Sequence, residues 1–146
     1  MSNTLFSKEQ QQKIVEAIKV AETNTSGEIK VHIEKRCKEN VLEHAIHIFE
    51  KLKMHQTQQR NGVLFYLSVN DHKLAILGDE GINKKVPEDF WNEVRNHMIQ
   101  CFKQEQFTQG LSEGIMMAGE QLKKHFPYKS QTDQNELSDE ISFGGN

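Results

Sequence analysis

Three features that mark other classes of protein are missing from this sequence. No apolar run approaches the length of a membrane-spanning helix, and the opening MSNTLFSKEQQQ lacks the basic and apolar regions of a signal peptide. No stretch is strongly basic, and the 146 residues carry a formal net charge of −3, which argues against a nucleic-acid-binding surface. We therefore expect a cytoplasmic protein that neither spans a membrane nor binds nucleic acid.

Cysteine is scarce, and the common catalytic motifs are absent. Cys37 and Cys101 lie far apart in a chain without an export signal, so both are expected to be reduced and unpaired. The two cysteines look isolated and lack structural-zinc spacing, so zinc is not expected. There is no HExxH, EF-hand loop, Walker loop, GxSxG or GxGxxG motif. The second helix is predicted to bury an apolar stripe of Leu42, Ala45, Ile46, Phe49 and Leu52. His44 and His47 fall off this stripe and are predicted to be solvated.

Apolar periodicity predicts a mixture of helices and strands. The alternation in EIKVHIE, residues 28–34, predicts a strand with one wet face, and the apolar run at residues 62–69 predicts a central strand covered on both faces. An Asn70-Asp71 turn then leads into an antiparallel strand at residues 72–77. Helices are predicted to begin near Ser7, with Gln10 as its capping-box partner, and near Asn40, Pro87 and Thr108. The GDEG segment at residues 78–81 is predicted to be a turn.

This order of elements predicts a three-layer αβα sandwich. The strand–helix–strand unit implies a right-handed parallel crossover, and the following strand adds an antiparallel neighbour. We expect a mixed sheet of three or four strands, covered by helices on both faces. One domain is expected over residues 1–128, followed by an acidic tail, residues 129–146, whose alternating segment at 140–143 can dock as an edge strand.

Four acids are predicted to gather at one edge of the sheet: Glu28, Asp79, Glu80 and Asp89. The first two strands start at this edge and the third ends there. Crowded carboxylates repel one another, and calcium, which takes six to eight oxygen ligands, relieves that repulsion. Each acid also has a purely structural explanation, as a turn residue, a helix-start residue or a surface charge. Spacing alone leaves metal binding and these structural roles open.

The acidic tail extends the same prediction. If it docks against the sheet, Glu136 or Glu140 can supply further oxygen ligands and complete a second ion site. A polar terminus that stays in solvent is the alternative. The apolar Ile141 and Phe143 favour docking.

Five segments, taken in order, resemble the TPM domain family over about residues 7–127. They are SGEIKV at 26–31, NGVLFY at 61–66, KLAILGDEGI at 73–82, PEDFW at 87–91 and FTQGL at 107–111. The tail segment NELSDEIS at 135–142 looks like the ending of stand-alone bacterial members. Glu28, Asp79 and Asp89 fall inside or beside these matched segments.

The resemblance implies an αβα sandwich and, in some members, binding of calcium or another divalent ion. We therefore expect a protein that binds one or two divalent ions, calcium above magnesium or manganese. It would act as a metal-dependent signalling switch or interaction module for an unidentified protein partner. An acid phosphatase activity has been proposed for plant relatives. The alternative function is thus a weak metal-dependent phosphatase in which Arg60 and Lys84 contact the phosphate.

Overall fold

The computed structural model describes residues 6–127 and 141–144 of the chain. Helices and strands follow one another in the order that the sequence predicts. The elements are α1 (Lys8–Ala21), β1 (Glu28–Glu34), α2 (Val41–Lys51), β2 (Gly62–Ser68), β3 (Lys73–Gly78), α3 (Glu80–Asn83), α4 (Phe90–Lys103), α5 (Phe107–His125) and β4 (Ser142–Phe143). A single 3-10 turn, Met54–Gln56, follows α2.

The four strands form one mixed sheet in the order β3-β2-β1-β4. β1 runs parallel to β2 and to β4, whereas β3 runs antiparallel to β2. In this register Glu28 lies opposite Gly62, and Val63 lies opposite Gly78. The first residues of β1 and β2 therefore share an edge with the last residue of β3, as the sequence predicts.

Both faces of the sheet are covered, which confirms the predicted αβα sandwich. On one face, Ile29, Val31 and Ile33 pack into the larger core, which also contains residues of α1, α4 and α5. On the other face, Leu64 and Tyr66 pack in a smaller core with residues of α2. No helix in the described part of the chain is long and apolar enough to cross a membrane.

Local signals fix most helix starts. Ser7 and Gln10 form the predicted capping box of α1, and the Asn40 side chain accepts hydrogen bonds from the backbone at the start of α2. The predicted GDEG turn is partly helical, because Asp79 caps the short helix α3. Helix α4 begins at Phe90, three residues after the proline that was expected to open it.

Helix α2 is rotated relative to the sequence prediction. Leu42 and Ile46 were assigned to its buried stripe, but they are 50% and 46% exposed. Its buried residues are Ala45, Ile48 and Phe49. This rotation turns His44 toward the sheet rather than toward solvent, with consequences for the site described below.

The end of the chain returns to the sheet. Ser142–Phe143 pairs with His32 and Ile33 of β1, and the backbone N–H of Gly144 donates to the carbonyl of Ile33 at 2.8 Å. Glu136 and Glu140, the tail acids of the sequence prediction, lie outside the described residues.

Candidate functional site

The predicted edge of the sheet is built by three segments that hydrogen-bond to one another. The N–H of Asp79 donates to the Gly62 carbonyl at 2.9 Å, and the N–H of Glu28 donates to the Asn61 carbonyl at 3.4 Å. Glu28 and Asp79 therefore flank Gly62, and Met54 packs against the position where a Gly62 side chain would lie. Both acids are buried, with exposed fractions of 3% and 7%. Burial of two carboxylates is costly unless partners compensate for the lost water.

Arg60 is the partner of Asp79. Its Nε lies 2.7 Å from Asp79 Oδ2 and its Nη2 lies 2.9 Å from Asp79 Oδ1, a two-pronged contact. These hydrogen bonds raise the pKa of the Arg60 guanidinium. Arg60 Nη1 also reaches Glu80 Oε1 at 3.3 Å. Sequence reasoning placed Arg60 at this edge but did not foresee that it neutralises Asp79.

Asn61 brings an oxygen atom with no protein partner into this edge. Its side-chain nitrogen donates to the Ser26 hydroxyl at 3.2 Å, while its side-chain oxygen is buried without a hydrogen bond. The residue is only 1% exposed, so water has little access. A buried unpaired oxygen costs about 1–3 kcal/mol. Among the residues that the structure describes, two others share this property, Thr108 Oγ1 and Gln121 Oε1, and both lie on α5.

The other predicted residues lie at the rim of the edge. Glu80 and Asp89 are exposed, and so is Lys84 at the end of α3. Trp91 donates to Asn83, which donates to the Gly78 carbonyl, both at 2.8 Å. These two bonds hold the start of α4, and with it Asp89, close to the end of β3. The four acids predicted at this edge are Glu28, Asp79, Glu80 and Asp89. Within residues 6–127 and 141–144, no three of their ligand atoms lie within 4.8 Å of one another.

A second polar cluster, which sequence reasoning missed, lies at the opposite end of β1. The Glu34 carboxylate accepts hydrogen bonds from Tyr66 Oη at 2.6 Å, His44 Nε2 at 2.8 Å and His32 Nε2 at 3.1 Å. His32 Nδ1 lies 2.8 Å from the Ser142 hydroxyl of β4. We call these five residues the Glu34 network. The prediction that His44 is solvated was wrong, because its ring contacts a buried carboxylate.

Burial and hydrogen bonding shift the acid–base behaviour of this network. Burial lowers the pKa of His32 despite its bond to Glu34, so the ring is neutral near pH 7. A neutral ring that donates from Nε2 to Glu34 must accept from the Ser142 hydroxyl at Nδ1. Burial alone would raise the pKa of Glu34, but hydrogen bonds from Tyr66 and His32 lower it. Glu34 and His44 also line a cleft of about 660 Å³.

These shifts predict that acid weakens the fold. The pKa of His32 is lower in the folded chain than in the unfolded one, so stability falls as pH drops below about 6.5, where the unfolded ring gains a proton. Glu34 adds a further loss at lower pH, as its own lowered pKa is crossed. Urea unfolding between about pH 7 and about pH 5 measures the first loss. His32→Gln should flatten it, whereas His72→Gln, at an exposed position, should not. An identical pH dependence in both variants would contradict this assignment.

A third cluster lies on the helical layer. Within the described residues, one group of three side chains brings metal-ligating atoms within 4.8 Å of one another: His97, Cys101 and Glu113. Cys101 was predicted to be isolated, and zinc was not expected. His97 lies one helical turn before Cys101, a spacing that is visible in the sequence. Glu113 could not be added without knowing how α4 packs on α5.

The described residues define a class of fold, an αβα sandwich around a mixed four-stranded sheet. The chain belongs to the TPM domain family, since the family model of that name matches residues 2–121.

Solved structures agree with this assignment. The BA42 protein from the psychrophilic bacterium Bizionia argentinensis is 47% identical, with a TM-score of 0.87 over 95% of each chain. An N-terminal domain from P. gingivalis is 15% identical, with a TM-score of 0.71 over 88% of this chain and 83% of that one. The N-terminal domain of cg2496 from Corynebacterium glutamicum is 11% identical, with a TM-score of 0.64 over 90% and 81%. These two likenesses show the fold alone. The sequence has no match among curated proteins.

Proposed function

We propose that this protein binds a divalent cation, preferably calcium, at the edge formed by Glu28, Asn61 and Asp79. The observation that carries the proposal is the unpaired side-chain oxygen of Asn61, buried at the same edge as two buried carboxylates. A cation satisfies such an oxygen and reduces the repulsion between the carboxylates at the same time. Neighbouring strands lie about 4.8 Å apart, so Glu28 and Asp79 are about 10 Å apart at the backbone. Two carboxylate side chains and one ion can close that gap.

The choice of calcium follows from the donor atoms. The edge offers carboxylate, amide and hydroxyl oxygens, and its rim adds the exposed carboxylates of Glu80 and Asp89. Hard cations prefer such ligands, and calcium accepts the irregular, higher coordination that a set drawn from several loops provides. Magnesium requires a near-octahedral set and keeps most of its water, and manganese also accepts oxygen ligands. Both are therefore weaker candidates for this edge.

Arg60 competes with the ion for Asp79. Its guanidinium engages both oxygens of that carboxylate, so the ion must displace at least one of these bonds. A divalent ion carries twice the charge of the guanidinium and also engages Glu28 and Asn61. The displaced Arg60 would change the contacts of Glu80 and of α3, which begins immediately after Asp79. This coupling provides the metal-dependent switch, with the surface around α3 as the region that responds and meets a protein partner.

Two substitutions test the site with effects of opposite sign. Asp79→Asn should weaken calcium binding at least about tenfold, because it removes a charged ligand. Arg60→Gln should strengthen binding about two- to fivefold, because it removes a competing cation whose side chain is 40% exposed, so that solvent partly screens its ion pair with Asp79. Isothermal titration calorimetry gives both affinities, and Glu16→Gln, on the exposed surface of α1, is the matched control. In wild-type protein, free calcium at a hundred times Kd should stabilise the fold by about 2.7 kcal/mol.

The same variants distinguish calcium binding from the phosphatase alternative. If Arg60 binds the phosphate of a substrate, Arg60→Gln lowers turnover of a phosphomonoester and leaves calcium affinity unimproved. Amide NMR shifts on adding calcium should concentrate at residues 26–28, 60–61 and 78–90. An unchanged spectrum and melting temperature at millimolar calcium and magnesium would refute the proposed site.

A further inference from the structure

The cluster on α4 and α5 has a donor set unlike that of the sheet edge. His97 Nε2 lies 2.5 Å from Glu113 Oε1, and Cys101 Sγ lies 3.9 Å from the same oxygen. His97 and Glu113 are partly exposed, with side-chain exposures of 44% and 41%, whereas Cys101 is buried beneath them. One imidazole, one thiol and one carboxylate thus meet at a point that solvent can reach from one side.

The sequence brings these three donors together through helix geometry. His97 and Cys101 are four residues apart on α4, so they lie one above the other on the same side of the helix. Glycine lets α5 approach that side closely, because a Cβ at Gly110 would lie 2.8 Å from the Cβ of Cys101. Gly114 has the same role one turn later, where a Cβ would meet Met98. Glu113 lies between these two contacts and is thereby held against Cys101.

The carboxylate of Glu113 is already oriented for a ligand. Gln109 Nε2 donates to its Oε2 at 2.8 Å, which leaves Oε1 directed toward His97 and Cys101. The bond from His97, followed by that from Gln109, lowers the pKa of Glu113, so it is an anion near neutral pH. Partners that orient a ligand from behind in this way are typical of metal centres. An isolated surface ion pair between helices would need neither Gln109 nor the thiol.

We propose that His97, Cys101 and Glu113 form a second metal site, which takes a zinc-class ion rather than calcium. Imidazole nitrogen and thiolate sulfur are ligands of zinc, and a carboxylate oxygen is accepted beside them. In a tetrahedral zinc site such donors lie about 3.3–3.6 Å apart, so a shift of about 1 Å separates His97 from Glu113 and closes the site. Three protein ligands leave the fourth position for water on the solvent side.

Binding at this site exchanges a proton for the ion. Burial and the neighbouring Glu113 raise the pKa of the Cys101 thiol, so the sulfur keeps its proton until the metal displaces it. The thiol proton passes to solvent. His97 Nε2, which donates its hydrogen to Glu113 in the metal-free protein, must also lose that hydrogen, so the imidazole binds the ion as the tautomer that carries its hydrogen on Nδ1. The hydrogen bond between His97 and Glu113 is then replaced by two bonds to the metal. No electron is transferred, and no further reactant is needed.

Cobalt(II) serves as the spectroscopic probe for this site. The full-length reduced protein is titrated with cobalt under anaerobic conditions, and zinc is then added in competition. A thiolate-to-cobalt charge-transfer band in the near ultraviolet, saturating at one ion per chain and lost on adding zinc, is the expected result. Cys101→Ser should remove the band, whereas Cys37→Ser should retain it, since the other thiol lies on the opposite side of the sheet.

Two exposed positions keep the test valid even if Cys101→Ser folds poorly. His97→Gln and Glu113→Gln should each weaken zinc binding at least about tenfold. Mutating a residue that only orients a metal ligand already lowers metal affinity about tenfold to a hundredfold, and removing the ligand itself should lower it at least as much. Asp79→Asn, at the sheet edge, should leave zinc affinity unchanged. A band that persists in Cys101→Ser, or zinc affinity that is equal in the wild-type, His97→Gln and Glu113→Gln proteins, would overturn the proposal. Calcium binding by the same variants reports separately on the edge site.

Discussion

Replacing Glu34 with alanine is expected to lower the free energy of unfolding by about 3–5 kcal/mol, because each buried donor that is left without an acceptor costs about 1–3 kcal/mol. The carboxylate accepts bonds from Tyr66, His44 and His32, so one substitution leaves three donors without their acceptor. Tyr66 is fully buried and His32 is 5% exposed, so water cannot easily replace the lost bonds. Urea unfolding at neutral pH measures the change, and an unaltered slope against denaturant shows that both end states are comparable.

Glu39 provides the matched control for this prediction. Its carboxylate bonds Nδ1 of the same His44 ring at 3.0 Å, but its side chain is 59% exposed. Because solvent screens such a pair, Glu39→Ala should change stability by less than about 0.5 kcal/mol. Equal losses from Glu34→Ala and Glu39→Ala would show that burial of the network contributes little. Ser142 lies outside the core, so its β4 strand should detach first in the Glu34 variant.

The sheet could be predicted from the sequence because its signals are local. Alternation in β1 and the apolar run of β2 each identify a strand, and a short connection identifies the antiparallel neighbour. The prediction that Glu28 and Asp79 share an edge then follows from strand direction alone. Neither step requires knowledge of side-chain packing.

The orientation of α2 could not be predicted in the same way. Its sequence, VLEHAIHIFEK, has apolar residues on more than one side, so two stripes fit the helical period. Which face of α2 packs on the sheet depends on the contacts available there, which include the buried carboxylate of Glu34. Once His44 turns inward to reach it, Leu42 and Ile46 are left outside. The contact of His44 with Glu34 and the burial of Ile48 and Phe49 in the smaller core thus lie on the same side of α2.

The candidate sites were likewise predictable only in part. Glu28 and Asp79 were identified as acids at one edge. The hydrogen bonding of Arg60 to Asp79, however, depends on a backbone turn at Arg60 with a φ of 53°. Left-handed backbone at a non-glycine residue has no clear sequence signal here. The cluster of His97, Cys101 and Glu113 required the packing of two helices, which the apolar stripes of α4 and α5 indicate only approximately. Long-range polar contacts are thus the part of this molecule that sequence patterns do not contain.

Replacing Gly81 with alanine is expected to destabilise the protein by about 1–3 kcal/mol through overpacking. The intrinsic preference has the opposite sign, since alanine favours a helix such as α3 by about 1 kcal/mol over glycine. The steric overlap should outweigh the helix preference. The new Cβ would press on the Gln59 carbonyl oxygen and would lie 2.5 Å from the Arg60 carbonyl oxygen. Both atoms belong to backbone and cannot rotate away. No glycine described here has a positive φ, so the requirement at Gly81 is for space rather than for an unusual conformation.

The clash also reaches the proposed calcium site, since the N–H of Gly81 donates to the Arg60 carbonyl at 2.8 Å. A loop that moves away from Gly81 carries Arg60 and Asn61 with it, so Gly81→Ala should alter calcium affinity as well as urea stability. Gly62→Ala, at the first residue of β2, is the control for stability only, because Gly62 lies between Glu28 and Asp79. Its Cβ would lie 3.3 Å from the Met54 carbonyl oxygen, a contact that a small shift relieves, and it should cost less than about 1 kcal/mol. If Gly81→Ala instead stabilised the protein through its helix preference, the close packing of Gln59 and Arg60 on α3 would not determine the structure of this edge.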